Sequence, residues 1–388
     1  RLPIVNLREA LRQLRILDVA TLEQLAAEDP DLLRSRSPEL VQRLLLTSDE
    51  LHRALARVAG LVEVDVLGFN CEAHAFDILP LREAHGLTVV PLGMANAQYP
   101  KKSIERDLKN WGGFRAKLFP AYQLVMCKSE THAQRFRDVG CQRVVIAGET
   151  RFDLPVSPQQ IAAAQALLAP WQLATAASGH RPVLCFASAI VGEDEQFIDA
   201  IRHVQAGVKA AGLPPLLVVY VPRSPQRFDA VAGLLTDAGL RVSRRSTDLD
   251  PQLQPRSSAP DMNGIDLLLG DSLGEMYFYL ALSQVVVVGA SFVNMGAHNV
   301  IEPLALRKPV MVGPSIWGIE YPGVEALEAG VLQQHMNVDS LARALTDLLT
   351  SPQKQAQATA GAEAFYAEHG GSTRRHMAVL KPWLEAHA

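Results

Sequence analysis

The sequence predicts an α/β protein built from two Rossmann-like domains with parallel sheets. Three observations carry this. Short β-rich runs alternate with helical stretches over most of the chain, the pattern of βαβ units. The 388 residues are long for a single hydrophobic core, so two domains are expected. Several apolar runs end in Gly- or Ser-containing loops, and in open α/β sheets ligands sit beyond the C-terminal ends of strands.

Taken in order, residues 1–60 read as mostly helical. Leu11, Leu14, Ile16 and Leu17, and later Leu40, Leu44 and Leu45, recur at roughly helical spacing, and Asn6 and Thr21 are plausible caps. The runs at 62–69, 87–93, 122–129 and 143–148 read as strands, with helices at 77–85 and 130–139 between them. Residues 153–158 look like a linker. The expected domains are therefore 1–153 and 154–388. After a helix from 158 to 168, a second series of strands follows at 181–188, 215–222, 239–245, 265–270, 285–289 and 309–313. Helices are expected at 193–211 and 225–238, residues 250–263 form a polar loop, and 337–387 are helical, with a clear amphipathic stripe at 338–349.

Composition excludes several classes. The net charge of −4 gives no global basic field for nucleic acid. The four cysteines show no C-x-x-C spacing, so neither a zinc site nor a disulfide framework is expected, no metal and no cofactor is assigned, and the cytoplasm is the default compartment. The apolar tract at 276–295 reads as helix followed by buried strand rather than a membrane span, because Ser283, Gln284, Gly289, Ser291 and Asn294 interrupt it. The chain begins at Arg1 rather than Met, so an upstream anchor is compatible with the sequence.

The richest segment is 270–303. It holds two loops, GDSLGE (270–275) and GASFVNMGAHN (289–299), on either side of the run Val285 to Val288. A strand that ends in Gly-Ala-Ser and opens into a helix would offer unpaired N–H groups and a partial positive charge to phosphate. Gly289, Ser291, Asn294, Gly296, His298 and Asn299 are candidates in that loop, and Glu302, about one helical turn beyond His298, could accept ribose hydroxyls. Asp271, Ser272, Gly274 and Glu275 are candidates in the other loop, where Asp271 or Ser272 could equally be a helix N-cap. Ser188 follows the first strand of the second domain, though an ordinary strand-to-helix turn explains it as well. Arg223 would emerge at a strand end, where a guanidinium can hold phosphate or carboxylate bidentately. Phosphate donors followed by a sugar-binding carboxylate suggest a nucleotide-sugar. In the first half, Glu72 in the turn after 62–69 is a candidate general base, with a solvated carboxylate as the alternative. The run Lys101, Lys102, Arg106 and Lys109 is either an anion-facing patch or a solvated helix face.

These residues resemble the bacterial 3-deoxy-D-manno-octulosonic acid (Kdo) transferases, inverting GT-B enzymes that move Kdo from CMP-Kdo onto lipid A precursor. The family's GN-x-K-F-D corresponds to Gly148-Glu-Thr-Arg-Phe-Asp153, its S-T-H-x-G-E to Ser188-Ala-Ile-Val-Gly-Glu193, and its P-R-H-P-x-R to Pro222-Arg-Ser-Pro-Gln-Arg227. Its G-D-T-x-G-E corresponds to Gly270-Asp-Ser-Leu-Gly-Glu275, and its G-G-S-x-x-x-x-G-G-H-N-x-x-E-P to the run from Gly289 to Pro303. Order and spacing agree over roughly residues 120–380, and the last two motifs are specific. Two motif histidines are absent, with Ile190 and Ser224 in their places. The family's H-x-x-S-x-G-E loop, whose Glu is the expected base, has only a poor echo in Thr47-Ser-Asp-Glu50.

The resemblance implies a GT-B fold, with two Rossmann-like domains facing across a cleft and a helical N-terminal segment. It implies transfer of Kdo or a similar acidic sugar from a CMP-sugar to a lipid A-type or other surface glycan by single displacement, without metal. It also implies work in the cytoplasm at the inner face of the cytoplasmic membrane, with peripheral membrane contact. Glu72, then Glu50, would be the base. The alternative is a GT-B relative of other specificity, or one that binds nucleotide or glycan without catalysis.

Overall fold

The computed structural model describes residues 91–109, 118–174 and 181–386, all within one compact unit, Pro91–Ala388. The helices expected in 1–60, the strand at 62–69, the helix at 77–85, and Glu50 and Glu72 lie outside the described residues.

Among the described residues two parallel sheets are present, as expected. The first has three described strands in sequence order: β1 (Leu92–Ala97), β2 (Tyr122–Cys127) and β3 (Val144–Ile146). Helices α1 (Lys101–Lys109) and α2 (Glu130–Asp138) lie in the two connections. Of the run expected at 87–93, residues 87–90 lie outside the described residues, and β1 begins at Leu92. Tyr99 next to α1 is buried and donates its hydroxyl to the equally buried Asp107 at 3.0 Å, while Lys101, Lys102 and Lys109 are exposed. The basic run is thus the outer face of a helix whose inner face is a small core.

The second sheet has seven strands: β4 (Val183–Ala189), β5 (Leu217–Pro222), β6 (Val242–Arg244), β7 (Leu267–Leu269), β8 (Val285–Val288), β9 (Val310–Val312) and β10 (Leu332–Gln334). Their order is β10-β9-β8-β4-β5-β7-β6, all parallel. Both faces are covered, which is why the inner strands β4, β5, β7, β8 and β9 read as continuous apolar runs rather than alternating ones. Cys185, Ala187, Val219, Val221, Val286 and Val288 point into one core. Phe186, Val218, Tyr220, Val285 and Val287 point into the other, the alternation that the period-2 strand requires.

Helices α3 (Pro158–Ala174), α4 (Asp194–Ala210), α5 (Phe228–Asp237), α7 (Met276–Leu282), α10 (Val338–Leu349), α11 (Pro352–His369) and α12 (Ser372–Glu385) fall where helical spacing puts them. Between them lie the short α6 (Arg245–Asp248), α8 (Ile301–Ala305) and α9 (Glu320–Glu328). On α10, Leu341, Ala342, Leu345, Leu348 and Leu349 form the buried stripe, and the Asn337 side chain caps the helix by accepting from Ser340 N. The last helix crosses back to the first sheet, where Trp383 packs with Leu124, Met126 and Ala147. No helix among the described residues is long and apolar enough to cross a membrane.

This order positions a site. From β4 the chain moves one way to β5, β6 and β7, then returns to lay β8 on the other side of β4. The loops that leave β4 and β8 therefore diverge at a switch point, where a crevice opens at the C-terminal strand ends.

Candidate donor-binding site

The loop after β8 differs from the expected strand-then-helix. Twelve residues separate β8 from α8, which starts only at Ile301, so His298 and Glu302 do not share a helical face. The loop turns sharply instead. Ala290 has φ 62° and Ser188, beside it at the end of β4, has φ 62°, both in the left-handed region that disfavours side chains.

What holds this backbone is Glu193. Its carboxylate is fully buried and accepts hydrogen bonds from the backbone N–H of Ile190 (3.0 Å), Ala290 (2.8 Å), Ser291 (3.0 Å) and Phe292 (3.0 Å). The N–H groups expected to receive phosphate at the start of this loop already hold an anion, and it is the protein's own. Ser291 is likewise committed: its hydroxyl donates to Val288 O (2.6 Å) and accepts from Gly313 N (2.9 Å), tying the end of β8 to the end of β9.

Gly289 allows β8 to approach β4. A Cβ there would lie 2.3 Å from Ser188 O and 2.8 Å from Ala189 Cα, both backbone atoms that cannot swing aside. Gly289→Ala should therefore cost about 1–3 kcal/mol or more through overpacking. Chemical denaturation checks this, and an unchanged midpoint would mean that the two strand ends separate freely.

The 270–275 loop is a block of ion pairs. Asp271 accepts from Arg244 Nε (2.7 Å), Ser246 N (2.8 Å) and Ser246 Oγ (2.5 Å). Glu275 takes Arg245 in a two-pronged pair, at 2.8 Å from Nε and 2.6 Å from Nη2. Ser272 Oγ bonds both Glu275 and the Tyr279 hydroxyl. Neither Asp271 nor Ser272 is the N-cap of α7. Glu275 occupies that position, and its side chain makes no capping bond because Arg245 holds it. Gly274 is exposed with φ 80°. These side chains brace the rim rather than stand free for a ligand.

A smaller set remains at the crevice. Arg223 directly follows β5, its N–H bonds Ala189 O at the end of β4 (2.9 Å), and its side chain is exposed. His298 is fastened by its N–H to Gly289 O (3.0 Å), and its Nε2 is shut off from solvent without a partner. Burial lowers the His298 pKa, and the Arg223 charge lowers it further, so the ring is neutral near pH 7. Asn299 Oδ1 accepts from Ile301 N (3.0 Å), and the side chain also bonds Glu302. Glu302 is half-buried in the first turn of α8. Burial raises its pKa, while the Asn299 hydrogen bond and the charges of Arg151 and Arg223 pull it back. Gly296, with φ 86°, lets the Trp317 indole lie against the loop, and Trp317 Nε1 donates to Asn294 Oδ1 at 3.2 Å.

Two groups escape the sequence reading. Glu193 looks like an ordinary first-turn acid of α4, and nothing local points to donors about a hundred residues on. Arg151 stands in the GETRFD run, whose 150–153 turn packs against α8, and its charge helps to pull the Glu302 pKa down.

Comparison with known proteins agrees with the motifs. Residues 82–154 match the family model described as 3-deoxy-D-manno-octulosonic-acid transferase (kdotransferase). A 3-deoxy-D-manno-octulosonic acid transferase of Bordetella pertussis is 32% identical over 296 residues, covering 76% of this chain and 64% of the relative. The Haemophilus influenzae enzyme of the same name is 29% identical over 302 residues, covering 76% and 65%. The chain thus spans just under two thirds of the length of the curated relatives it matches. Among solved structures, the C-terminal CMP-Kdo binding domain of WaaA from Acinetobacter baumannii aligns with 53% of this chain and 96% of that domain, at 26% identity and a TM-score of 0.44. Over the span these sequence matches cover, the chain is similar to the 3-deoxy-D-manno-octulosonic acid transferases.

Proposed function

We propose that the chain is a GT-B glycosyltransferase that takes Kdo, or a similar acidic sugar, from a CMP-sugar and passes it to a lipid A precursor or a related surface glycan. The observation that carries this is the convergence of Arg223, His298, Asn299 and Glu302 at the ends of β4, β5 and β8, on the switch point of the second sheet. Arg223 meets the donor phosphate, Glu302 accepts the ribose hydroxyls, and Asn299 orients Glu302. His298 packs beside them with its Nε2 turned away from solvent. Gly289, Ser291, Gly296, Asp271, Ser272 and Glu275 hold the loops at the correct separation, and Ser188 and Asn294 line them.

In the reaction the acceptor oxygen attacks the anomeric carbon, the bond from that carbon to the phosphate oxygen breaks, and CMP leaves with both electrons. The acceptor proton goes to a carboxylate of the N-terminal half, for which Glu72 is the choice and Glu50 the second. One displacement inverts the anomeric centre. Guanidinium charge near the leaving phosphate lowers the barrier by compensating the charge it gains. The acceptor's lipid places the reaction at the inner face of the cytoplasmic membrane, by peripheral contact. A second reading is favoured by Ile190 and Ser224, which replace two histidines of the family motifs: a relative of changed specificity, or one that binds without transfer.

Calorimetry with CMP tests the donor site. Glu302→Ala should weaken CMP binding by about 1.5–3 kcal/mol, the range for hydrogen bonds to a charged group, while the fold survives. A Glu302→Ala variant that unfolds, beside a folded wild type that binds no nucleotide, would give Glu302 a structural role instead.

A further inference from the structure

The turn Thr150–Asp153 between the two sheets is built with more positive charge than its buried acid requires. Glu149 is fully buried at the end of β3. Lys128 Nζ approaches it at 2.9 Å, Arg151 Nη2 at 2.9 Å and Asn96 Nδ2 at 3.0 Å, and Arg151 N donates to it at 3.1 Å. Burial pushes the Glu149 carboxyl up, but the Arg151 hydrogen bond and the Lys128 and Arg151 charges outweigh that and hold it at about 2. Lys128 alone neutralises the carboxylate. The surplus positive charge resides on Arg151, whose side chain is 46% exposed where that of Lys128 is 8% exposed.

The turn presents this guanidinium rigidly. Phe152 is fully buried in the core shared with Ile301 and Leu304, and the Asp153 carboxylate accepts from Gly371 N at 2.6 Å and also from Thr373 N. The same turn packs against α8, and the charges of both Arg151 and Arg223 act on Glu302. Two arginines, one from the turn after β3 and one from the end of β5, therefore lie within electrostatic range of Glu302. A CMP-activated acidic sugar carries two separate anions, the phosphodiester and the sugar carboxylate.

We propose that Arg151 is a donor-binding residue that receives the carboxylate of the acidic sugar, leaving the phosphate to Arg223. This deepens the donor reading above and rests on it. Arg151 is then what distinguishes an acidic sugar from a neutral one on the same nucleotide.

Calorimetry on wild type, Arg151→Met and Arg151→Lys, each with CMP and with CMP-Kdo, tests it, with thermal denaturation alongside. Arg151→Met should bind CMP within about twofold of wild type yet lose about tenfold or more with CMP-Kdo, as a lost charge-assisted pair implies. Arg151→Lys, which keeps the charge but not the planar fork, should fall between and remains readable if the Met variant fails to fold. Equal losses with both ligands would give Arg151 to the phosphate and overturn the assignment. A lower melting temperature with unchanged affinity for both would make it purely structural and overturn it as well. Wild type that binds CMP but gains nothing from the sugar would instead break the donor reading itself.

Discussion

Glu193→Ala is expected to cost about 3–5 kcal/mol of folding stability, the range for removing one partner of a buried charged network. The carboxylate is fully buried and satisfies four backbone N–H groups, one in its own turn and three at the start of the loop after β8. Alanine would leave all four without their acceptor, and each buried donor so stranded costs about 1–3 kcal/mol. Water entering the space recovers part of that, which keeps the total below the sum. The left-handed Ser188 and Ala290 would also lose the anchor that holds them. Glu193→Gln should lose less, because one oxygen still accepts while the amide sets an N–H against N–H donors. Urea denaturation measures both variants. A midpoint for Glu193→Ala close to wild type would show that the loop holds its shape by other means, and the account of the site's rigidity would be abandoned.

Glu72→Gln is expected to lower the rate of sugar transfer by ~10²–10⁴ while leaving CMP affinity nearly unchanged. The expectation rests on the family's missing glutamate loop. In the proposed reaction another carboxylate takes the acceptor proton in place of that loop, and Glu72 follows the run expected as a strand at 62–69. The split between rate and nucleotide affinity is the diagnostic part, since a general base acts on the acceptor. Full transfer by Glu72→Gln would remove this assignment and turn attention to Glu50.

The strands that frame the site were legible because they are buried on both faces. Runs such as Val285 to Val288 leave little choice but an interior strand, and β4 to β9 all lie on expected runs. Strand β10 and helix α9 were not legible. β10 carries one apolar residue, Leu332, followed by two glutamines, and α9 contains Pro322 and Gly323, so neither shows its period. Within the candidate site, Arg223 and the run from Gly289 to Glu302 are proposed from residue type and strand-end position. Their neighbours could not be named in this way, because partnership in this fold is long-range. Glu193 bonds residues 97–99 positions away, and Asp271 finds Arg244 27 positions back. A local reading sees carboxylates beside a glycine-rich loop and offers them to a ligand. The fold had already given Asp271, Glu275 and Glu193 to arginines and backbone amides, so fewer free groups remain at the crevice than the motifs suggest. Arg151 was visible as part of a junction motif, but only the packing of its turn on α8 brings its charge within range of Glu302.

The central claim is transfer of an acidic sugar from CMP to a glycolipid. Mass spectrometry of the chain incubated with CMP-Kdo and a panel of acceptors, lipid A precursor among them, tests it most directly. The account predicts an acceptor that gains the mass of one Kdo residue for each CMP released, with the gain lost in Glu302→Ala. Saturable CMP binding with every acceptor unmodified would contradict it and leave a nucleotide-binding relative without transferase activity.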